Sequence, residues 1–307
     1  MATASNYSNN NYLLNSFYPM RSAQEMKQLI LTKAMQDDRI RAVLLNGSRV
    51  NPKVVPDAFQ DFDVVYIVKD VESFLSDHRW TDYFGPRIIW QLPDAMTFGE
   101  AETAVEPRDS FGYLMLFQDH NRIDLTLFPL QKVPHSFQWD SLTTVWLDKD
   151  GLFPSAPPAD DRDYWVRMPT QTAFTDCCNE FWWVSTYVVK GLAREELSYA
   201  KEMMDKVVRP MFMNMLAWKM GMDTDFRESF GKAGKFMRQQ LAPDLYARVL
   251  LTYSDHQIPN NWRSLFQMME IFGELAQEIA DKLGFTYLLE EEQQVRSYAE
   301  EVWSYCC

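Results

Sequence analysis

The run Ala42-Val43-Leu44-Leu45-Asn46-Gly47-Ser48-Arg49, answered downstream by Gln60-Asp61-Phe62-Asp63-Val64-Val65-Tyr66-Ile67-Val68, decides how this chain is read. An apolar stretch ends at a Gly-Ser corner, and a second apolar stretch opens on two carboxylates. A third acid, Asp124, interrupts Ile123-Asp124-Leu125-Thr126-Leu127. Residues two apart on a β-strand share a face, so Asp61 and Asp63 are expected to aim at one spot. Close carboxylates repel unless a cation lies between them. Mg²⁺ suits that place, because it takes one or two carboxylates together with phosphate oxygens. From Arg122 to Phe128 the alternation puts Arg122, Asp124 and Thr126 on one face, with Ile123, Leu125 and Leu127 on the other. Gly47 lets the backbone approach a phosphate closely. Successive N–H groups and the Ser48 hydroxyl then make an anion cradle.

Each piece has a plainer reading when taken alone. A Gly-Ser after a strand is an ordinary turn, and Asp-x-Asp at a strand start is an ordinary solvated edge. An acid inside an apolar strand is harder to dismiss, because an unpaired buried carboxylate is costly. In this order and these contexts, the three acids and the corner point to a site for a nucleoside triphosphate and two Mg²⁺ ions, and to nucleotidyl transfer.

The elements around these motifs divide the chain. Ser22-Ala23-Gln24-Glu25 reads as a capping box that opens a helix. Strands are expected near 41–46, 62–68, 87–91, 111–117, 122–128 and 143–147, with Phe74-Leu75 on a short helix. Gln118-Asp119-His120-Asn121 reads as a hairpin loop. Together these make a small mixed sheet with the three acids on one side. Residues 152–170, with Pro154, Pro157, Pro158 and Pro169, read as a linker. Beyond it, helices are expected over 171–192, 194–220, 229–240, 243–254, 261–283 and 287–304, with a kink at Pro210. The fold class is therefore α+β: a nucleotidyltransferase domain over 20–151, then a helical substrate-binding domain over 171–307. Residues 1–19 read as a disordered extension without the charged start of a signal peptide.

The chain has 307 residues, 47% of them hydrophobic, and a net charge of −13 shared between both halves. Nucleic-acid binding needs a basic surface, so a polynucleotide acceptor is not expected. An acidic enzyme suits a polycationic small molecule, although acidity also simply keeps a protein soluble. No apolar run reaches membrane-spanning length. The four cysteines form two adjacent pairs, Cys177-Cys178 and Cys306-Cys307, without zinc-site spacing. A reduced, cytoplasmic setting is the simplest expectation.

Gly-Ser, then Asp-x-Asp, then a third strand acid resembles the polymerase-β-like nucleotidyltransferases. More closely, the chain resembles the aminoglycoside 6-adenylyltransferases (streptomycin adenylyltransferases). The resemblance rests on Met20-Arg21-Ser22-Ala23-Gln24-Glu25-Met26, Arg39 to Val43, Asn46 to Arg49, Phe59 to Asp63, Gly112 to Phe117, Asn121 to Leu127 and Tyr187 to Leu192. It runs from about Met20 to the C-terminus and implies AMP transfer from ATP to the 6-hydroxyl of streptomycin, hence antibiotic resistance. It also implies that Asp61, Asp63 and Asp124 serve the metal ions, with Asp124 as ligand or as general base. Gly47, Ser48, Arg49 and Lys190 are then nucleotide-binding residues. The segment Pro93 to Asp109, notably Leu92-Pro93-Asp94 and Ala95 to Glu102, departs from the family pattern and bears on the choice of acceptor.

In the helical half, Asp176 and Glu180 share a helix face and suit a cationic substrate, or else form a solvated face. Trp182 and Trp183 follow; one offers a ring for stacking on a sugar or adenine, with core packing as the plainer alternative. His78, His120, His135 and His256 fall in no catalytic constellation. Two rival classes stay open: a nucleotidyltransferase with a protein or tRNA acceptor, and a catalytically dead binding fold.

Overall fold

A computed structural model describes residues 19–96 and 110–306. The segment Ala95 to Glu102 falls largely outside these residues, as does the expected N-terminal extension. The chain divides into two compact units, one ending at Asp163 and the other beginning at Tyr164.

The first unit opens with α1, Ala23–Gln36. Ser22 caps it: its hydroxyl accepts the Glu25 N–H, and the Glu25 carboxylate accepts the Ser22 N–H, as a capping box requires. Just ahead, Arg21 forks onto the buried Asp119 carboxylate, with Nε at 2.5 Å and Nη2 at 3.1 Å. It also donates to the Phe84 carbonyl at 2.6 Å. Asp119 lies in the tight turn where His120 adopts φ +68°.

Six strands follow: β1 (Ile40–Asn46), β2 (Phe62–Val68), β3 (Arg87–Gln91), β4 (Phe111–Phe117), β5 (Arg122–Pro129) and β6 (Thr143–Asp148). Each starts and ends within one residue of the sequence expectation. They form one sheet in the order β3-β4-β5-β2-β1-β6. Only β2 and β5 run parallel; the other neighbours are antiparallel. Short helices α2 (Glu72–Leu75) and α3 (Val133–Ser136) lie in the connections.

The sheet's two faces differ. On one, Met26, Ile30 and Ala34 of α1 pack with Val43, Leu45, Phe62, Val64, Tyr66, Met115, Ile123 and Leu125. The Tyr66 hydroxyl donates to the Ile30 carbonyl at 2.7 Å, which satisfies the one polar atom on that fully buried ring. On the other, a smaller cluster of Ala42, Leu44, Val65 and Ile67 is covered by Phe128, Val133, Phe137 and Phe153. By alternation, this second face also carries Asn46, Asp63 and Asp124, beyond the end of its apolar cover.

The second unit is helical: α4 (Gln171–Ala193), α5 (Leu197–Met203), α6 (Arg209–Asp223), α7 (Met237–Gln240), α8 (Pro243–Leu250), α9 (Ile258–Leu283) and α10 (Leu289–Cys306). Its core joins α4 to α9, where the Phe181 and Phe272 rings stack 3.6 Å apart. Where α9 meets α10, a Cβ on Gly273 would stand 2.1 Å from an oxygen of the buried Glu292. Glu292 accepts bonds from the Tyr287 hydroxyl and from Arg296.

Two helix expectations need correction. The helix over 194–220 is interrupted by a π-turn, Met204–Val208, in which the Arg209 N–H donates to the Met204 carbonyl. Pro210 lacks an N–H and cannot continue regular pairing, so the wider turn precedes it. The helix over 229–240 is absent. Gly231, Ala233 and Gly234 all take positive φ, leaving only a 3₁₀ turn and the single turn of α7. No helix among the described residues is long and apolar enough to cross a membrane.

Candidate active site

Strand register builds the site. Reading across the sheet, Thr143 of β6 faces Asn46 of β1, Asn46 faces Asp63 of β2, and Asp63 faces Asp124 of β5. Residues paired in this way point to the same side, so four polar side chains stand in one row. Asp61 sits one residue ahead of β2, on the side of Asp63. The sequence-predicted acids therefore do come together, and it is the parallel β2–β5 pairing that delivers Asp124 to the Asp-x-Asp motif.

Gly47 and Ser48 begin a 3₁₀ turn directly after β1. Gly47 has φ +78°, and a Cβ there would lie 2.3 Å from an Asp63 carboxylate oxygen. Glycine is thus required by backbone conformation and by the closeness of Asp63. Its N–H is committed to the Leu142 carbonyl at 3.0 Å. What this corner can offer an anion lies from Ser48 onward.

Arg49 has partners within the chain. Its guanidinium donates to the carbonyls of Asp61 at 2.9 Å and Gln60 at 2.6 Å and lies 3.6 Å from the Phe62 ring centroid. Gln60 in turn donates to the Ser48 carbonyl at 3.1 Å. Arg49 laces the segment carrying Asp61 to the Gly-Ser corner.

The strongest ion pair in the site is Arg122 with Asp124. The guanidinium meets both carboxylate oxygens at 2.7 Å, and its Nε is 3.7 Å from Asp61. Burial pushes the Asp61 carboxyl above its ordinary range; Arg122 opposes this, while the nearby Asp124 charge adds to it. Among the described residues, no three acidic, His or Cys side chains converge tightly enough to hold a metal ion as they stand. Arg122 supplies a reason, since its fork occupies both oxygens of Asp124. In kind the donors still suit a divalent cation. Asn46 Oδ1, beside Asp63 in the row, is buried without a partner, as is Thr143 Oγ, and buried polar atoms ordinarily have one.

Arg122, Asn46 and Thr143 were not singled out as site residues from sequence. The Arg-x-Asp alternation on β5 was a usable signal for Arg122. The other two needed the strand register.

The remaining predicted residues lie on α4 of the helical unit. Asp176, Glu180 and Lys190 are exposed, with the Lys190 ammonium 5.6 Å from the Tyr187 ring centroid. Asp176 borders a cavity of about 150 Å³ that Glu291, Tyr287 and the edge of Trp182 also line. The stacking role for Trp182 gives way to packing. The residue is 2% exposed, its Nε1 donates to the Tyr287 hydroxyl, its ring meets Phe181 and Phe272, and Arg296 lies over it. Trp183 is the exposed member of the pair.

Three carboxylates beside a glycine-led corner, in a mixed sheet followed by helices, meet a specific likeness. The family model described as streptomycin adenylyltransferase matches residues 20–302. This chain belongs to that family. Among the family's proteins, the aminoglycoside 6-adenylyltransferase of Campylobacter jejuni is 44% identical over 89% of this chain and 93% of its own length. That of Bacillus subtilis is 39% identical over 92% and 99%, and that of Staphylococcus aureus 32% over 86% and 92%. A crystal structure of an aminoglycoside 6-adenyltransferase from Bacillus subtilis aligns over 92% of this chain and 99% of that one, at 36% identity and a TM-score of 0.45. This adenylyltransferase is thus an aminoglycoside nucleotidyltransferase, with its acid row on the sheet of the first unit.

Proposed function

We propose that the enzyme transfers AMP from ATP to a hydroxyl of streptomycin, the 6-hydroxyl by family likeness, with Mg²⁺ and with release of pyrophosphate. The observation that carries this reading is the row Asp63–Asp124, with Asp61 alongside and Gly47-Ser48 at its end. In the reaction, the acceptor oxygen bonds to the α-phosphorus as the bond to the bridging oxygen of the β-phosphate breaks. The acceptor's proton leaves, and pyrophosphate departs.

Asp61, Asp63 and Asp124 hold the cations, two by family likeness, which neutralise phosphate charge and position the reacting oxygens when bound. Ser48 grips the phosphates. Asp124 either ligates a cation or takes the acceptor proton; retained cation binding in Asp124→Asn would assign it the proton. The helical unit supplies acceptor binding: Asp176 and Glu180 face the substrate's cationic groups, and Lys190 meets the β- and γ-phosphates. The net charge of −13 supports a polycationic acceptor over a polynucleotide. The reaction belongs in the cytoplasm, where ATP is available.

Pyrophosphate release with ATP and Mg²⁺ tests this, comparing streptomycin with kanamycin, spectinomycin and lincomycin in the wild type and Asp61→Asn. Release with streptomycin alone, lost in the variant, is the expected result. Release with none of them, from protein that binds Mg-ATP, would overturn the acceptor and turn the search to protein or RNA.

A further inference from the structure

Arg122 belongs to no role assigned so far. It projects from β5 two residues before Asp124, on the same face, and engages both oxygens of Asp124 at 2.7 Å. It also reaches within 3.7 Å of Asp61. A bidentate guanidinium–carboxylate pair of this geometry is among the stronger charge-assisted contacts available to a protein. Asp61 and Asp124 are thus neutralised in part from inside the chain. The Arg122 side chain is 41% exposed and that of Asp124 22%, so the guanidinium has solvent to move into, while Asp124 is anchored in the middle of the sheet.

We propose that Arg122 is a built-in counter-ion that competes with the divalent cation for Asp124. With no cation bound, it holds Asp124 and Asp61 in place against their mutual repulsion. A cation that takes an Asp124 oxygen must first take it from the fork. Arg122 is in this sense a positioning residue, acting through Asp124, and it sets how tightly the site holds a cation before nucleotide arrives. The inference rests on the reading that these carboxylates bind a divalent cation.

The test is Mn²⁺ binding to the full chain without nucleotide, followed by electron paramagnetic resonance of the free ion, in wild type, Arg122→Gln, Arg122→Lys and Asp63→Asn. Arg122→Gln keeps a polar side chain but removes the charge and the fork. It should bind Mn²⁺ about five- to tenfold more tightly, the scale of one net hydrogen bond released. Arg122→Lys, a point charge without the fork, should fall between it and the wild type, and Asp63→Asn should lose the site. Mg²⁺ should raise the melting temperature of Arg122→Gln more than that of the wild type, and the Mg²⁺ concentration for half-maximal turnover should fall. A merely structural arginine would not tighten cation binding when removed. Mn²⁺ binding in Arg122→Gln that is unchanged or weaker overturns the inference. If Arg122→Gln fails to fold, unchanged binding in Arg122→Lys overturns it instead. Full turnover by the wild type without any divalent cation would overturn the cation reading, and this inference with it; an unchanged Mn²⁺ constant in a cation-dependent enzyme overturns this inference alone.

Discussion

Gly47 answers to two constraints at once, a φ of +78° and an Asp63 carboxylate 2.3 Å from where a Cβ would stand. Gly47→Ala has to shift Asp63 or strain the turn, at about 1–3 kcal/mol. We expect turnover to fall about 10²-fold, as a misplaced catalytic group does, with a smaller loss of melting temperature. An unchanged kcat/KM would show that Asp63 needs no fixed place. Arg49 is separable by kinetics. If its two carbonyl bonds serve to place Asp61, Arg49→Ala lowers kcat while leaving ATP affinity nearly intact. A rise in the ATP dissociation constant matching the loss of rate would restore it to the phosphates. The three acids and Gly47 were legible because alternation and spacing speak directly to which way a strand residue points. The surroundings of Arg49 and Trp182 were not legible, for a common reason. Sequence shows that a side chain has a charge or a ring, but whether its partners are a ligand or the chain itself depends on neighbours brought in by folding. Here those neighbours are the Gln60–Asp61 backbone and Phe272.

At the scale of elements, the Arg21–Asp119 pair fastens the entry of α1 to the β4–β5 turn. Burial works to raise the Asp119 carboxyl, but bonds from Arg21 and Asn121 outweigh it and hold the group at about 2. A carboxylate depressed in this way stabilises the fold above its unfolded pKa of about 3.9, and that contribution disappears as pH falls through about 2. Set against Asp119→Asn in urea titrations, the wild type should be about 2 kcal/mol more stable at pH 7. The gap should narrow between about pH 4 and 2; a gap independent of pH would refute the assignment. In the helical unit, Gly273→Ala forces α9 off Glu292 and should cost about 2–4 kcal/mol, seen as a lower melting temperature. Strands were legible nearly to the residue, because their apolar runs are short and bounded by Gly, Asp and Asn. The segment 229–240 was not. Its composition suits a helix, yet Gly231 and Gly234 take positive φ against Phe236, Phe230 and Met213, a preference that only tertiary packing reveals.

For the whole molecule, a net charge of −13 and a polycationic acceptor imply that encounter is screened by salt. The KM for streptomycin should rise several-fold between low and high KCl, whereas the KM for the polyanion ATP should not rise with it. A salt-independent streptomycin KM would remove charge from the account of acceptor choice. The two units were legible as a change of pattern from strand alternation to helical period, while the pairing of β2 with β5 was beyond the reach of local pattern, because sixty residues of chain separate Asp63 from Asp124. That pairing has a consequence in time. β1 and β2 are consecutive strands and can zip early, but β5 enters between β2 and β4 only after the chain through Asp124 has been made. Bringing distant segments together is slow relative to local pairing. The two halves of the acid row therefore stay apart until late in assembly, when Arg122 arrives on the same strand as the last carboxylate. A nascent chain that stops short of β5 lacks both Asp124 and Arg122, so the enzyme completes its row of acids only in the step that seats β5 beside β2.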